Sequence, residues 1–184
     1  MISQPSLVVL SGPPGAGKTT LAHELARAVG CPAICRDEIK EGMVHATPGV
    51  VPGPQDELSM RTLPTFFNVL ELLLKAGVTT VAEAAFQDRL WRPGLEPLRE
   101  LADIRVIHCV ADADAVLERR RRRLHDNPLR RAHAEILDDD PAAYALSHHA
   151  FDRVSLDVPE IEVDTTRGYD PGLKEIVTFV NGRD

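Results

Sequence analysis

Apolar and polar positions along this chain follow two periods, one typical of buried strands and one typical of amphipathic helices. Short apolar runs such as Leu7-Val8-Val9-Leu10 have the length and composition of strands buried on both faces. Other segments, such as 55–76, repeat their apolar residues every three or four positions, as helices packed on one face do. Because the two kinds of segment alternate, the pattern predicts an α/β fold with a parallel sheet.

The pattern predicts five strands and the helices that connect them. Gly30 and Gly77 mark the ends of two of these helices. No repeat and no long linker divides the chain, so residues 1–184 are expected to form a single domain. The predicted strands are 6–11, 32–35, 78–82, 104–110 and 160–164. The predicted helices are 17–29, 38–46, 55–76, 88–102 (irregular at Pro93 and Gly94), one from Asp112 or Asp114 to Leu124, 141–150 and 171–181.

A glycine-rich loop separates the first predicted strand from the first predicted helix. It matches G-x-x-x-x-G-K-[ST], the pattern of a phosphate-binding P-loop, in the strand–loop–helix context that this motif requires. Its glycines let backbone N–H groups point at an anion, and its lysine and threonine suit the terminal phosphates and Mg²⁺. The motif therefore predicts a nucleoside triphosphate site built from Gly12, Pro13, Pro14, Gly15, Ala16, Gly17, Lys18, Thr19 and Thr20, with Mg²⁺ at Thr19.

Composition narrows the possible partners. The net charge of −7 argues against nucleic acid as the main partner. The apolar runs are shorter than a membrane span, and the N-terminus lacks the basic region of a secretion signal. The three cysteines, an odd and low number, indicate reduced thiols in a cytoplasmic protein.

The cysteines and histidines do not predict a metal site. Cys31 and Cys35 lie four residues apart without a second pair of ligands, and the seven histidines show no metal-binding spacing with a carboxylate. We therefore expect buried cysteines in strands and histidines on the surface or in the core.

Charged residues follow the later strands and, with the P-loop, carry a family resemblance. Arg36-Asp37-Glu38 follow the second predicted strand, Glu83 follows the third, and an arginine run, Arg119–Arg123, lies after the fourth. The chain resembles the AAA-type small P-loop kinases, which include chloramphenicol phosphotransferase-like, polynucleotide-kinase-like and zeta-toxin-like proteins. The resemblance covers essentially the whole chain. It implies a three-layer sandwich with a five-stranded parallel sheet of order 2-3-1-4-5, a helical lid at about 119–140, and Mg-ATP as donor for a small hydroxylated acceptor.

Two carboxylates are candidates for chemistry at the ends of strands. Asp37 suits a base that takes the proton of the acceptor hydroxyl, as an acidic residue does in kinases of the resembled type, and it equally suits a helix N-cap. Glu83 stands at the Walker B position, where many relatives carry aspartate. It is predicted to hold the Mg²⁺ hydration shell, to face the acceptor, or to be no more than a charge at the end of a strand.

The donor side is predicted from the arginine run and from the loop after the fifth strand. Arg119 and Arg123 share a helix face, so the resemblance implies contacts with adenine and phosphates, and a catalytic role for Arg123. A nucleic-acid patch is the competing interpretation of this run. The resemblance also places Thr166, Arg167 and Gly168 along the adenine edge, whereas a simple turn is the alternative.

The acceptor side is predicted at about 40–68. This segment combines the Gly/Pro-rich loop 47–55 with an apolar helix, and its polar candidates are Asp56, Glu57 and Arg61.

The sequence as a whole predicts a phosphotransferase acting on a small hydroxylated molecule such as an antibiotic, a sugar or a nucleoside. A polynucleotide-end kinase and a regulatory NTPase are the alternatives. The sequence leaves the acceptor, the choice of ATP or GTP, and the oligomeric state open.

Overall fold

The computed structural model describes residues 4–49, 56–126 and 151–182, with the backbone alone for residues 120–126. Its centre is a parallel sheet of five strands in the order β2-β3-β1-β4-β5. The predicted fold class and strand order are confirmed. The strands are β1 (Ser6–Ser11), β2 (Ala33–Cys35), β3 (Thr80–Glu83), β4 (Asp103–Val110) and β5 (Glu160–Asp164).

Helices connect successive strands and cover both faces of the sheet. The first of them, α1, ends at Gly30, whose left-handed φ of 84° lets its N–H group bond Ala26 O. Among the described residues we find no helix with both the length and the apolar character that a membrane span requires. The helices are α1 (Lys18–Val29), α2 (Arg36–His45), α3 (Glu57–Lys75), α4 (Asp88–Leu95), a 3₁₀ helix (Glu96–Glu100), α5 (Ala113–Asp126) and α6 (Leu173–Val180).

Alternate residues of the central strand enter two separate cores. Val8 and Leu10 point towards α1 and α6, where Leu21, Leu25 and Ile176 are fully buried. Leu7 and Val9 point to the opposite face, where α3 and α4 contribute Phe66, Leu70, Trp91 and Leu95. This period-two division of a continuous apolar run is the reason that β1 lies in the middle of three layers.

Three element boundaries differ from the predicted ones in ways that affect the site. Helix α2 begins at Arg36, so Cys35 occupies the N-cap position and Asp37 is the second helical residue. The N-cap interpretation of Asp37 is therefore wrong. Strand β3 includes Glu83 as its last residue, and the irregular segment 88–102 divides into α4 and the 3₁₀ helix. The predicted helix 141–150 and most of the predicted lid lie outside the described residues.

Candidate active site

The loop between β1 and α1 has a backbone that only glycine allows at its first position. Gly12 has φ of 149°, and a Cβ placed on it would lie 2.4 Å from the carbonyl oxygen of Cys109. Gly15 and Gly17 also have positive φ, at 88° and 73°. The loop therefore packs tightly against the end of β4. Its backbone has the conformation of an anion-binding turn.

The N-terminus of α1 is open towards this loop. The helix begins at Lys18, and its N-cap is Gly17, which offers no side-chain cap. The first N–H groups of a helix have no partner within it, and the helix dipole adds partial positive charge at this end. Loop and helix together form a cradle suited to a phosphate group.

Glu83 joins the two reactive side chains of the loop. Its carboxylate accepts a hydrogen bond from Thr19 Oγ1 at 3.2 Å and lies 3.9 Å from Lys18 Nζ. Lys18 Nζ also donates to the carbonyl oxygen of Pro13 at 3.0 Å. Lys18 and Glu83 are only 7% and 4% exposed, so their charges interact with little screening by water. A threonine hydroxyl beside a buried carboxylate is a donor set that suits Mg²⁺.

Asp37 lies on the opposite side of the loop from β4. Cys35 and Glu83 are register partners in β2 and β3, and Asp37 follows two residues after Cys35. Its carboxylate is 42% exposed and forms an ion pair of 3.1 Å with Arg36. An accessible carboxylate therefore projects from the first turn of α2, one strand away from Glu83, at the edge where open α/β sheets bind ligands.

Arg119 connects α5 to the loop that follows β5. Its guanidinium donates to the carbonyl oxygens of Thr165 at 2.6 Å and Thr166 at 3.1 Å. Asp164 accepts a hydrogen bond from the N–H group of Thr166 at 2.6 Å. Hydrogen bonds from Thr166 and, to a smaller extent, the charge of Arg119 hold the pKa of Asp164 below its usual value. Arg119 thus positions the loop that was predicted to follow the adenine edge.

Residues of that loop line two clefts. One, of about 310 Å³, is lined by residues of the P-loop, α5 and the β5 loop: Gly17, Thr20, Arg119, Thr165, Gly168 and Tyr169. It therefore brings together four of the residues predicted to bind nucleotide. The other, of about 300 Å³, contains Thr166 and Arg167. The side chain of Arg123 lies outside the described part of the chain, although its backbone continues α5.

Sequence reasoning missed Thr165 and Tyr169. The hydroxyl of Thr165, a buried residue, lies 3.0 Å from Ala16 O and 3.2 Å from Val110 O, and it accepts from Arg119 at 3.3 Å. Tyr169 hydrogen-bonds Glu24, and burial together with that carboxylate raises the pKa of its phenol. Neither residue carries a local signal, because their partners come from the P-loop, α1, β4 and α5.

Replacing Thr165 with valine is expected to destabilise the protein. Valine keeps the β-branched shape but removes the hydroxyl shared by three elements. We expect the free energy of unfolding to fall by about 1–3 kcal/mol, because buried polar partners lose their bond. Urea unfolding monitored by circular dichroism measures this. Thr178→Val is the control, since Thr178 is at an exposed position of α6 and its hydroxyl donates only to Lys174 O of the same helix. An equal, small loss in both variants would contradict a linking role for Thr165.

The structure assigns Asp56, one of the polar acceptor-side candidates, to packing. Asp56 caps α3 by accepting from Ser59 N at 2.6 Å and forms an ion pair of 3.4 Å with Lys40, which is 2% exposed. Phe66 is fully buried, with its ring against Phe86 and Trp91. These residues join α2, α3 and α4, so the polar groups left for an acceptor are more exposed ones such as Arg61. Residues 50–55 of the predicted acceptor loop lie outside the described residues.

Known proteins resemble this chain in sequence and in fold. The sequence model of the AAA domain family matches residues 7–145. A shikimate kinase from Corynebacterium efficiens is 37% identical over 79 residues, which are 43% of this chain and 46% of that enzyme. The chain thus matches about half the length of this curated relative.

Solved structures resemble the whole chain. A candidate kinase from Chloroflexus aurantiacus j-10-fl has a TM-score of 0.84 and 24% identity, covering 99% of this chain and 100% of that chain. The APS kinase of Mycobacterium tuberculosis, solved in complex with AMPPNP and APS, has a TM-score of 0.63 and 15% identity, with 97% and 98% covered. At these identities the likeness shows that the fold is that of P-loop kinases.

Proposed function

The chain belongs to the AAA domain family, and from that premise we propose that it is a kinase that moves the γ-phosphate of Mg-ATP to a hydroxyl group of a small molecule. The observation that carries this proposal is the contact of both Lys18 and Thr19 with the buried carboxylate of Glu83. Lys18 and the hydroxyl of Thr19 thus already lie beside the P-loop, where the phosphates and their Mg²⁺ would bind.

The donor nucleotide would lie across the P-loop towards β4 and β5. Loop N–H groups and the N-terminus of α1 would hold the phosphates, and Lys18 would exchange its bond to Pro13 O for bonds to phosphate oxygens. The base would enter the cleft of Gly17, Thr20, Arg119 and Tyr169. Thr166, Arg167 and Gly168 would border it, and Arg123 would approach the transferred group from α5.

Mg²⁺ would be held at Thr19 Oγ1, with Glu83 orienting its water shell. The fit rests on the 3.2 Å distance between the Thr19 hydroxyl and the Glu83 carboxylate. When bound, the ion neutralises charge on the transferred phosphoryl group.

The acceptor would lie on the side of β2 and β3, facing Asp37. As the acceptor oxygen attacks the γ-phosphorus, its proton passes to the Asp37 carboxylate, and ADP leaves on the opposite side. The ion pair with Arg36 orients that carboxylate. Segment 40–68 supplies the acceptor wall in this proposal.

The three free cysteines suit a reducing, cytoplasmic setting.

A phosphate-transfer screen tests the function. The full chain is incubated with ATP and Mg²⁺ and with separate pools of antibiotics, sugars and nucleosides, and ADP release and phosphorylated product are both measured. We expect one pool to give ADP and product in equal amounts. Lys18→Ala protein, purified in the same way, is the control, because a contaminating kinase would remain active in it.

Two outcomes would overturn the small-molecule proposal. Transfer to 5′-hydroxyl ends of RNA or DNA, with none to the pools, would identify a polynucleotide-end kinase. ATP hydrolysis at the same rate with and without every acceptor would identify an NTPase without a metabolite acceptor.

A further inference from the structure

A histidine, a cysteine and a glutamate from three different elements meet beside the proposed magnesium site. They are His23 of α1, Cys35 at the end of β2 and Glu38 of α2. His23 Nε2 lies 2.7 Å from Glu38 Oε1 and 3.8 Å from Cys35 Sγ, and the ligand atoms of all three lie within 4.8 Å of one another. The spacing along the chain predicted no metal site here, but the fold brings the three residues together.

We propose that His23, Cys35 and Glu38 bind a thiophilic divalent cation, with Zn²⁺ as the best match. Nitrogen, sulfur and carboxylate oxygen are the ligands that zinc takes, and three protein ligands leave a fourth position for water. This site is distinct from the proposed Mg²⁺ position at Thr19, whose oxygen ligands suit a harder ion.

Two of the three ligand separations can be compared with those that a tetrahedral ion requires. Zinc bonds of about 2.0–2.3 Å place its nitrogen and oxygen ligands about 3.3 Å apart and its nitrogen and sulfur ligands about 3.6 Å apart. The observed separations of 2.7 and 3.8 Å are about 0.6 Å shorter and about 0.2 Å longer than these, respectively. His23 and Glu38 have side chains 45% and 46% exposed, so both can make this adjustment and leave an entry path.

The electrostatic setting also favours a cation. The carboxylates of Glu38 and Glu83 both lie beside the buried thiol of Cys35, so negative charge is concentrated around the sulfur. As the metal–sulfur bond forms, the thiol releases its proton to solvent and no electron is transferred. Cys35 sits in a strand under α1 and α2, which fixes the sulfur position before the ion arrives.

Cobalt titration tests this site without any measurement of kinase activity. Untagged full-length protein, without nucleotide and with excess Mg²⁺, is titrated with Co²⁺ under a phosphine reductant. We expect one equivalent to bind with a near-ultraviolet band from thiolate-to-cobalt charge transfer. Added Zn²⁺ should displace the cobalt and remove the band.

Variants identify the ligands. Cys35→Ser should lose the band, whereas Cys31→Ser, four residues away and outside the cluster, should keep it. His23→Gln and Glu38→Gln change exposed side chains, so both should fold, and each should weaken binding by at least about tenfold. Absence of the band in the unmodified chain, its persistence in Cys35→Ser, or unchanged affinity in both His23→Gln and Glu38→Gln would overturn the proposal.

Discussion

Lys18→Ala is expected to abolish tight Mg-ATP binding and to lower phosphoryl transfer by roughly 10²–10³-fold, the scale of losing one preorganised charge donor. In the nucleotide-free chain the Lys18 ammonium contacts Pro13 O and Glu83, both at the mouth of the loop. No other lysine occupies this loop, so its amine contacts with the phosphates would be lost. Calorimetry with Mg-ATP measures the affinity, and circular dichroism checks that the helix content is retained.

Lys40→Ala is the matched control for this experiment. Lys40 is a second buried lysine paired with a carboxylate, but its partner is Asp56, in the contact between α2 and α3. Its loss is expected to lower the melting temperature and to leave ATP affinity unchanged, because breaking a buried pair costs stability wherever it lies. Unchanged ATP affinity in Lys18→Ala, or an equal loss of affinity in both variants, would contradict the P-loop assignment.

Asp37→Asn is expected to lower turnover by roughly 10²–10⁴-fold with little change in ATP affinity. Asparagine keeps the size of the side chain but does not accept the proton of the acceptor hydroxyl. Since the structure places Asp37 within the first turn of α2 and not at its N-cap, the substitution removes no cap. Steady-state kinetics with the acceptor found in the screen measures the effect.

Asp114→Asn separates chemistry from helix stability. Asp114 is an exposed residue and the second residue of α5, as Asp37 is the second residue of α2. Both substitutions remove a favourable charge at a helix N-terminus, worth about 0.3–1 kcal/mol each. We expect similar small falls in stability but a loss of turnover in Asp37→Asn alone. Near-normal turnover in Asp37→Asn would show that the carboxylate serves the helix and not the reaction.

The local sequence determined two kinds of feature in this protein: backbone conformations that particular residues favour, and strands or helices marked by regularly spaced apolar residues. The P-loop was predictable because Gly12, Gly15 and Gly17 adopt backbone angles that other residues rarely take. The apolar run of β1 predicted a strand buried on both faces, which is the place it occupies in the sheet. The strand order followed from the resemblance to the kinase family, since spacing alone does not choose neighbours in a parallel sheet.

Tertiary structure alone decided which distant side chains meet. Glu83 lies 64 residues from Thr19, and Thr165 lies 149 residues from Ala16, yet each pair is hydrogen-bonded. Lys40 of α2 is buried against Asp56, the N-cap of α3. His23, Cys35 and Glu38 likewise come together only because β2 ends between α1 and α2. The spacing of apolar residues along the chain indicates which face of a helix or strand a residue occupies. Which residues it contacts on that face depends on how the helices and strands pack together.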